Sequence, residues 1–302
     1  MEIRQLKTFC AIAELESFTR AAHRLGISQS GISQQIGALE REVGGKLLSR
    51  SGTGVRPTSA GMILLHYAQS IIRKLDEAER ALTGLDASRS GTLRIGACGA
   101  ASHYLLPGIL RELHEGFPNC DVRVSTGYTD LTIERLRAGE LDVGVVPLPV
   151  STPRLRVTAV GSDELVAIAG FAHPWNAHSR VTAGDFADQQ LLIYQRRSHT
   201  YALIERILLE QGAFPQVVME LDHLEAVVAV VRAGLGVAIV PRWAVASEKN
   251  QHVIQVIPFA KGGVRRSWAV VSRDDGSHPH MLKTFIRLCT ERLPGCLTET
   301  SA

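Results

Sequence analysis

Residues 17–43, SFTRAAHRLGISQSGISQQIGALEREV, leave the chain few ways to fold. Gly26 interrupts two helix-like runs. Glycine enters the left-handed backbone region without steric cost, so a helix over 19–25 stops there. Ser17 stands where a cap belongs for the first helix, and Ser28 where one belongs for the second, since each hydroxyl can accept from an unpaired amide one turn on. In the second helix Ile32, Ile36 and Leu39 fall at the spacing of a buried stripe. Gln29, Ser30, Ser33, Gln34 and Gln35 crowd its first two turns. Short hydrogen-bonding side chains with little charge contribute little to solubility. They suit reading base edges from the start of a helix lying in a major groove. Ser28, Gln29, Ser30, Ser33 and Gln34 are therefore the candidate DNA-reading residues. An ordinary helical hairpin with a polar outer face has the same local pattern, so the flanking segments decide between the two.

Upstream, residues 3–15 form a first helix with Ile3, Leu6, Phe9, Cys10 and Ala13 on its apolar stripe. Downstream, Gly44 and Gly45 stop the reading helix. Residues 46–50 and 55–58 read as two short strands around turn material, a wing that carries Arg50 and Arg56 to the phosphate backbone. Residues 17–58 hold six basic and two acidic side chains, a net +4, whereas from Gly91 onward 21 basic residues balance 21 acidic ones. The positive field thus belongs to the segment that a polyanion would meet. From Thr58 or Ser59 a long helix begins. Leu64, Tyr67, Ile71, Leu75, Ala78, Leu82 and Leu85 follow steps of 3, 4, 4, 3, 4 and 3 along it, a coiled-coil-like seam with one stutter. A seam of this length behind a small DNA-binding unit reads as a dimer helix, whose two-fold symmetry matches a pseudo-palindromic site.

Residues 87–91 mark a boundary, after which strand and helix alternate. Strands are expected over 92–98, 121–126 and 141–146, with helices over 105–117 and 131–138, which implies a parallel sheet with helices on both faces. Residues 165–170 cross to a second lobe of the same kind. Residues 267–272 return, and a helix over 279–293 closes the chain. Two α/β lobes joined by two crossings make a clamshell whose cleft, at the carboxyl ends of strands, suits a small ligand.

Composition narrows the function further. At 302 residues, 45% hydrophobic and 21% charged, the chain can hold about two domains and a real core. No apolar run reaches the roughly 18–20 residues that span a bilayer. MEIRQLKTF has no apolar signal segment, so a cytoplasmic location and no membrane partner are expected. Cys10, Cys98, Cys120, Cys289 and Cys296 form no CxxC pair and fit reduced thiols better than a disulfide framework or zinc site. No phosphate loop, HExxH or GxSxG motif is present, and His103, Asp130 and His199 have no nucleophile near them in sequence. Neither catalysis, a metal nor a bound cofactor is expected.

Residues 2–61 resemble the winged helix-turn-helix of the LysR-type transcriptional regulators. Leu6, Phe9, Ser17, Phe18, Ala21, Ala22, Leu25, Ser28, Gln29, Ser33, Ile36, Leu39, Glu40, Gly44, Leu47, Leu48, Arg50, Thr58, Ala60 and Gly61 carry the likeness. One departure is Thr53, where family wings often place a second arginine; Arg56 is its substitute here. The second half is similar to the family's effector domain, itself like periplasmic solute-binding proteins, through Leu93-Arg94-Ile95-Gly96, Leu106-Pro107, Phe117-Pro118, Leu141-Asp142 and the stretch from Gly234 to Pro241. The resemblance implies an α/β protein overall. Its parts are a winged helix-turn-helix at 1–58, a linker and dimerisation helix at 59–90, and a two-lobed α/β periplasmic-binding-protein-like domain at 91–302. Lobe I covers 91–162 and 267–302, and lobe II covers 163–266.

It also implies double-stranded promoter DNA as partner, contacted by the residues above together with Arg50, Arg56 and Thr58. Dimers and tetramers, RNA polymerase as a further partner, and a small-molecule co-inducer in the cleft follow in the same way. The cleft loops are 100–103, 127–130 and 195–200, and their hydroxyls Ser102, Thr129, Ser198 and Thr200 are the expected effector contacts. Ala100 replaces a hydroxyl common in the family. Arg196 and Arg197 are placed to hold an anionic effector, and Cys98 is either a structural thiol or a redox sensor. Ser198 and Thr200 also suit helix capping. The alternative function is an effector-independent repressor whose second domain only assembles oligomers.

Overall fold

The computed structural model describes residues 1–51, 54–83, 91–150, 155–246, 253–274 and 280–298. The chain divides into two compact units, Met1–Ala87 and Ser88–Ala302.

In the first unit α1 (Ile3–Leu15), α2 (Phe18–Leu25) and α3 (Gln29–Val43) precede a hairpin of β1 (Leu48–Ser51) and β2 (Gly54–Pro57) and the long α4 (Ser59–Thr83). Both expected caps form: Ser17 Oγ accepts from the Arg20 amide at 3.3 Å and Ser28 Oγ from the Gly31 amide at 3.1 Å. Gly26 ends α2 with φ +66°. Phe9, Ile12, Ala21, Ile32, Leu39 and Leu47 are fully buried. Each large side chain among them contributes about 1.5–3 kcal/mol by leaving water. The hairpin is antiparallel, with Arg50 opposite Val55. It joins α3 through Glu40, which accepts from the Leu47 and Leu48 amides at 2.9 and 3.3 Å and from Lys46 Nζ at 2.7 Å. α4 starts hard against the hairpin. A Cβ on Gly61 would stand 2.0 Å from the Leu47 carbonyl oxygen, so only glycine permits the approach.

Two expectations about apolar stripes are corrected. Ile3 is exposed rather than packed. Leu64, the expected first residue of the seam, packs with Leu65 into the unit's own core, and Ala68 is buried. The first turns of α4 must cover α1, so that side of the helix is already occupied. Met62, Ile63, Tyr67 and Ile71 are exposed instead, with Ile63 and Tyr67 above 60%. The Leu82 side chain and Leu85 lie outside the described residues.

The second unit is built on a mixed sheet of order β10-β6-β11-β5-β3-β4, with β9 also pairing β6. Its strands are β3 (Gly91–Ala97), β4 (Cys120–Thr126), β5 (Val143–Pro147), β6 (Leu155–Gly170), β9 (Ala238–Pro241), β10 (Ile254–Pro258) and β11 (Val264–Arg273). β7 (Gln190–Tyr194) and β8 (Gln216–Leu221) form a separate parallel pair. Helices α5 (Leu106–Gly116), α6 (Thr129–Arg137), α7 (His199–Glu210), α8 (Leu224–Arg232) and α9 (His280–Thr298) cover them. The expectation of parallel pairing holds for β4-β3-β5 and for β7-β8. β6 and β11 run antiparallel to their neighbours. β11 returns between β5 and β6 and runs antiparallel to both, so the sheet is mixed from that strand onward.

β6 also begins well before residue 165 and runs for 16 residues without a break. Gly161 and the acidic pair Asp163-Glu164 read as an interruption in sequence. In the fold Gly161 adopts φ +129° where the register with β11 shifts, and Asp163 is buried against Arg266 of β11. The strand therefore continues through the polar stretch. β6 and β11 are the two crossings between the halves of this unit, and the cleft lies along them.

Candidate nucleic-acid interface and ligand cleft

The first turns of α3 present Gln29, Ser30, Ser33 and Gln34 to solvent. Beneath them Ile32, Ile36 and Leu39 hold the helix to the core. Gln35 turns inward, contrary to its place in the polar cluster: its Oε1 accepts from the buried Thr8 hydroxyl at 2.6 Å, fixing α3 to α1. Gln29 Nε2 donates to Thr19 Oγ1 across the turn, leaving Oε1 and a second N–H for a base edge. Ser28 serves mainly as the cap and lies 3.0 Å from the Ser30 hydroxyl.

Thr58 ties the start of α4 to the segment before β1. Its hydroxyl donates to the Lys46 carbonyl at 2.7 Å and accepts from the Gly61 amide at 3.1 Å, so its proton is already bound within the fold. Arg56 is exposed on β2. Arg50 holds its strand position, and its side chain lies outside the described residues. The +4 of this segment already counts Glu40, which pairs with Lys46, and is further offset by Glu14, which pairs with Arg24 at 2.9 Å. The hydrogen bond from Arg24 holds the Glu14 carboxyl below its usual range. Burial opposes ionisation of Glu40, yet Lys46 and the two amides outweigh it, and its pKa is lowered overall.

The second unit contains a cleft that opens to solvent. Cys98 and Ala100 at the end of β3, strand β7, the inner face of α7, the end of β9, Trp243, and Arg266 and Trp268 on β11 are among its walls. The expected loop at 100–103 is largely a π-helical turn, Ala101–Leu105, leading into α5. Of the four expected effector hydroxyls Thr200 alone is a wall residue. It is already engaged, accepting from Arg266 Nη1. Ser198 serves as a helix cap: its Oγ accepts from the Tyr201 amide at 3.1 Å and donates to the Tyr194 carbonyl at 3.2 Å. Thr129 opens α6 and is 5% exposed. The Ser102 hydroxyl is buried without a hydrogen-bond partner among the described residues. A buried hydroxyl in that state costs about 1–3 kcal/mol until a partner arrives.

At the mouth, His199 Nε2 lies 3.4 Å from Asp130 Oδ1 and His103 Nδ1 lies 3.6 Å from Glu225 Oε1. The Arg197 guanidinium stands 5.6 Å from the Tyr128 ring centre. Arg196 faces Glu220 at 3.7 Å, so the expectation that it holds an anion meets a carboxylate already in place. Burial pushes the Cys98 thiol up, away from the thiolate that a redox sensor uses.

Sequence reasoning missed the floor of the cleft. Asp163 and Arg266 are 0% and 5% exposed, and Trp243 Nε1 donates to Asp163 Oδ2 at 2.8 Å. One signal was available: two adjacent charged residues run directly into an apolar strand in both DELVAIAG and VRRSWAVV. Buried charges come in pairs, but matching these two requires knowing that β6 and β11 are neighbours.

Comparison with known proteins agrees with this architecture. Residues 3–62 match the family described as "Bacterial regulatory helix-turn-helix protein, lysR family", and residues 86–294 match "LysR substrate binding domain". The HTH-type transcriptional regulator GltR of Bacillus subtilis (strain 168) is 31% identical over 251 residues, 83% of each chain. Full-length OxyR from Pseudomonas aeruginosa superposes with a TM-score of 0.77 at 23% identity, covering 96% of this chain and 94% of that one. Full-length CbnR complexed with its target DNA gives 0.71 at 24% identity, covering 97% and 100%. At these identities the two structures share the fold. The helix-turn-helix match, the substrate-domain match over more than half the residues and the relation to GltR place this chain in the LysR family of bacterial transcriptional regulators.

Proposed function

We propose that the protein is a sequence-specific DNA-binding transcriptional regulator controlled by a small molecule bound in the cleft of its second unit. The exposed, nearly uncharged hydrogen-bonding face of α3 carries the first half of this reading. Gln29, Ser30, Ser33 and Gln34 contact base edges, while Arg56 and Arg50 meet phosphates beside them. Residues 1–58 act as the reading head, 59–90 as the linker through which two copies pair, and 91–302 as the sensor. The cleft supports the second half, because the Trp268 indole N–H in its wall is buried without a partner among the described residues, as is the Ser102 hydroxyl of the turn after β3. Ser102 and the walls around Thr200 form its effector surface; Ser198 and Thr129 shape it from behind. CbnR is a relative seen with target DNA, and promoter DNA in the cytoplasm is the partner assigned to this chain by the same reading. Dimers assembling into tetramers would let effector binding alter the spacing of reading heads and the path of DNA presented to RNA polymerase.

The test of the reading head is the double variant Gln29→Ala, Ser33→Ala. It is expected to lose about 1–3 kcal/mol of operator binding per base contact while its binding to random DNA and its melting temperature stay unchanged. Unchanged operator affinity would remove the role given to this face.

A further inference from the structure

We propose that the cleft takes a small uncharged molecule bearing a hydrogen-bond acceptor, and that it discriminates against anions of the same shape. The proposal rests on the effector-cleft reading above and names the chemical class of the effector. Arg266 is the one charged side chain among the described walls, and it is already neutralised. Its Nε donates to Asp163 Oδ1 at 3.1 Å, Nη2 donates to Asp163 Oδ2, and Nη1 donates to Thr200. Its guanidinium lies 4.8 Å from the Trp268 ring centre. A ligand carboxylate that drew Arg266 away would leave Asp163, with no exposure of its own, a buried charge without its cation.

The turn after β3, the other place an anion would use, is crowded by the Tyr194 hydroxyl, which stands 3.4 Å from where a Cβ on Gly99 would be. Burial pushes the Tyr194 phenol up, so it remains an uncharged plug.

What remains open asks for an acceptor without charge. Trp268 is 1% exposed, forms part of the wall, and its indole N–H is buried with no acceptor among the described residues. The Ser102 hydroxyl is in the same condition beside the turn. A cation would meet this donor and the guanidinium. Apart from Thr200, Arg266 and the aromatic polar tips, the surroundings are apolar, with Leu192, Ile204, Leu224 and Ile239 facing Tyr201 and Trp243.

The test is equilibrium dialysis of the full-length protein at pH 8 against benzamide, methyl benzoate and acetophenone, with benzoate and succinate as the charged counterparts. At least one neutral probe is expected to bind about tenfold or more tighter than benzoate, with succinate weaker still. Binding should vanish in Ile204→Trp, which fills the cleft. Benzoate or succinate binding as tightly as the neutral probes overturns the charge class while leaving the cleft as the effector site. Failure of all three neutral probes also overturns the class. If in addition Ile204→Trp leaves operator binding untouched, the effector-cleft reading falls with it.

Discussion

The Glu40 carboxylate receives two wing amides and the Lys46 ammonium while its side chain is only 10% exposed. Its folded pKa is lowered from 4.5, so the stability it contributes is present above that value and is lost as pH falls through the folded value. Glu40→Gln keeps the shape and removes the charge. It is expected to cost about 2 kcal/mol at pH 7, since hydrogen bonds to a charged group are worth about 1.5–3 kcal/mol in total effect on stability. Urea unfolding of wild type and variant at pH 7 and pH 3.5 checks this. The difference should shrink at the lower pH; equal differences at both would show that the charge is not what matters. At this scale the sequence was legible where a side chain bonds its own neighbours. Ser17 and Ser28 were recognisable caps because their partners lie three residues on. Thr58, Thr200 and Gln35 have partners 12, 66 and 27 residues away, which the sequence could not pair because only the fold brings them together.

Among the elements, α4 separates what periodicity can and cannot settle. The steps of 3 and 4 from Leu64 identify a long amphipathic helix, but they do not say which copy of the chain covers which side. In the fold Leu64, Leu65 and Ala68 face the unit's own core, and Met62, Ile63, Tyr67 and Ile71 are left exposed. Ile63, Tyr67 and Ile71 are four residues apart and so share a stripe. Large apolar side chains in a row on a surface mark a contact. Ile63→Glu with Tyr67→Glu is expected to convert dimers to monomers in light scattering at micromolar concentration. Leu64→Ala should instead lower the melting temperature with the dimer retained. A dimer that survives the double glutamate variant would move the seam elsewhere. The π-helical turn at Ala101–Leu105 was similarly hidden, because Leu105, Leu106 and Ile109 look like an ordinary helical stripe with an irregularity at Pro107.

For the whole molecule, charge and cavity belong to different units, and this gives a way to ask whether the two communicate. Alternating strands and helices made the two-lobed unit legible, whereas the antiparallel crossings β6 and β11 and their buried Asp163–Arg266 pair depended on pairing between segments about 100 residues apart. Non-specific DNA binding is set by phosphate neutralisation, which the cleft cannot alter. Operator binding in addition requires two reading heads at the right spacing. A coupling between sites is a free energy, in most proteins worth 5- to 150-fold in affinity. Filling the cleft with Ile204→Trp imitates permanent occupancy. It is therefore expected to shift operator affinity within that range and to leave random-sequence affinity and its salt slope unchanged. Fluorescence anisotropy with the two DNAs over 50–200 mM salt measures both. If both affinities stay as in wild type and the variant folds normally, the second unit only assembles the oligomer. If both change by the same factor, the substitution has disturbed the protein's charge or assembly rather than a signal passed to the operator-bound arrangement.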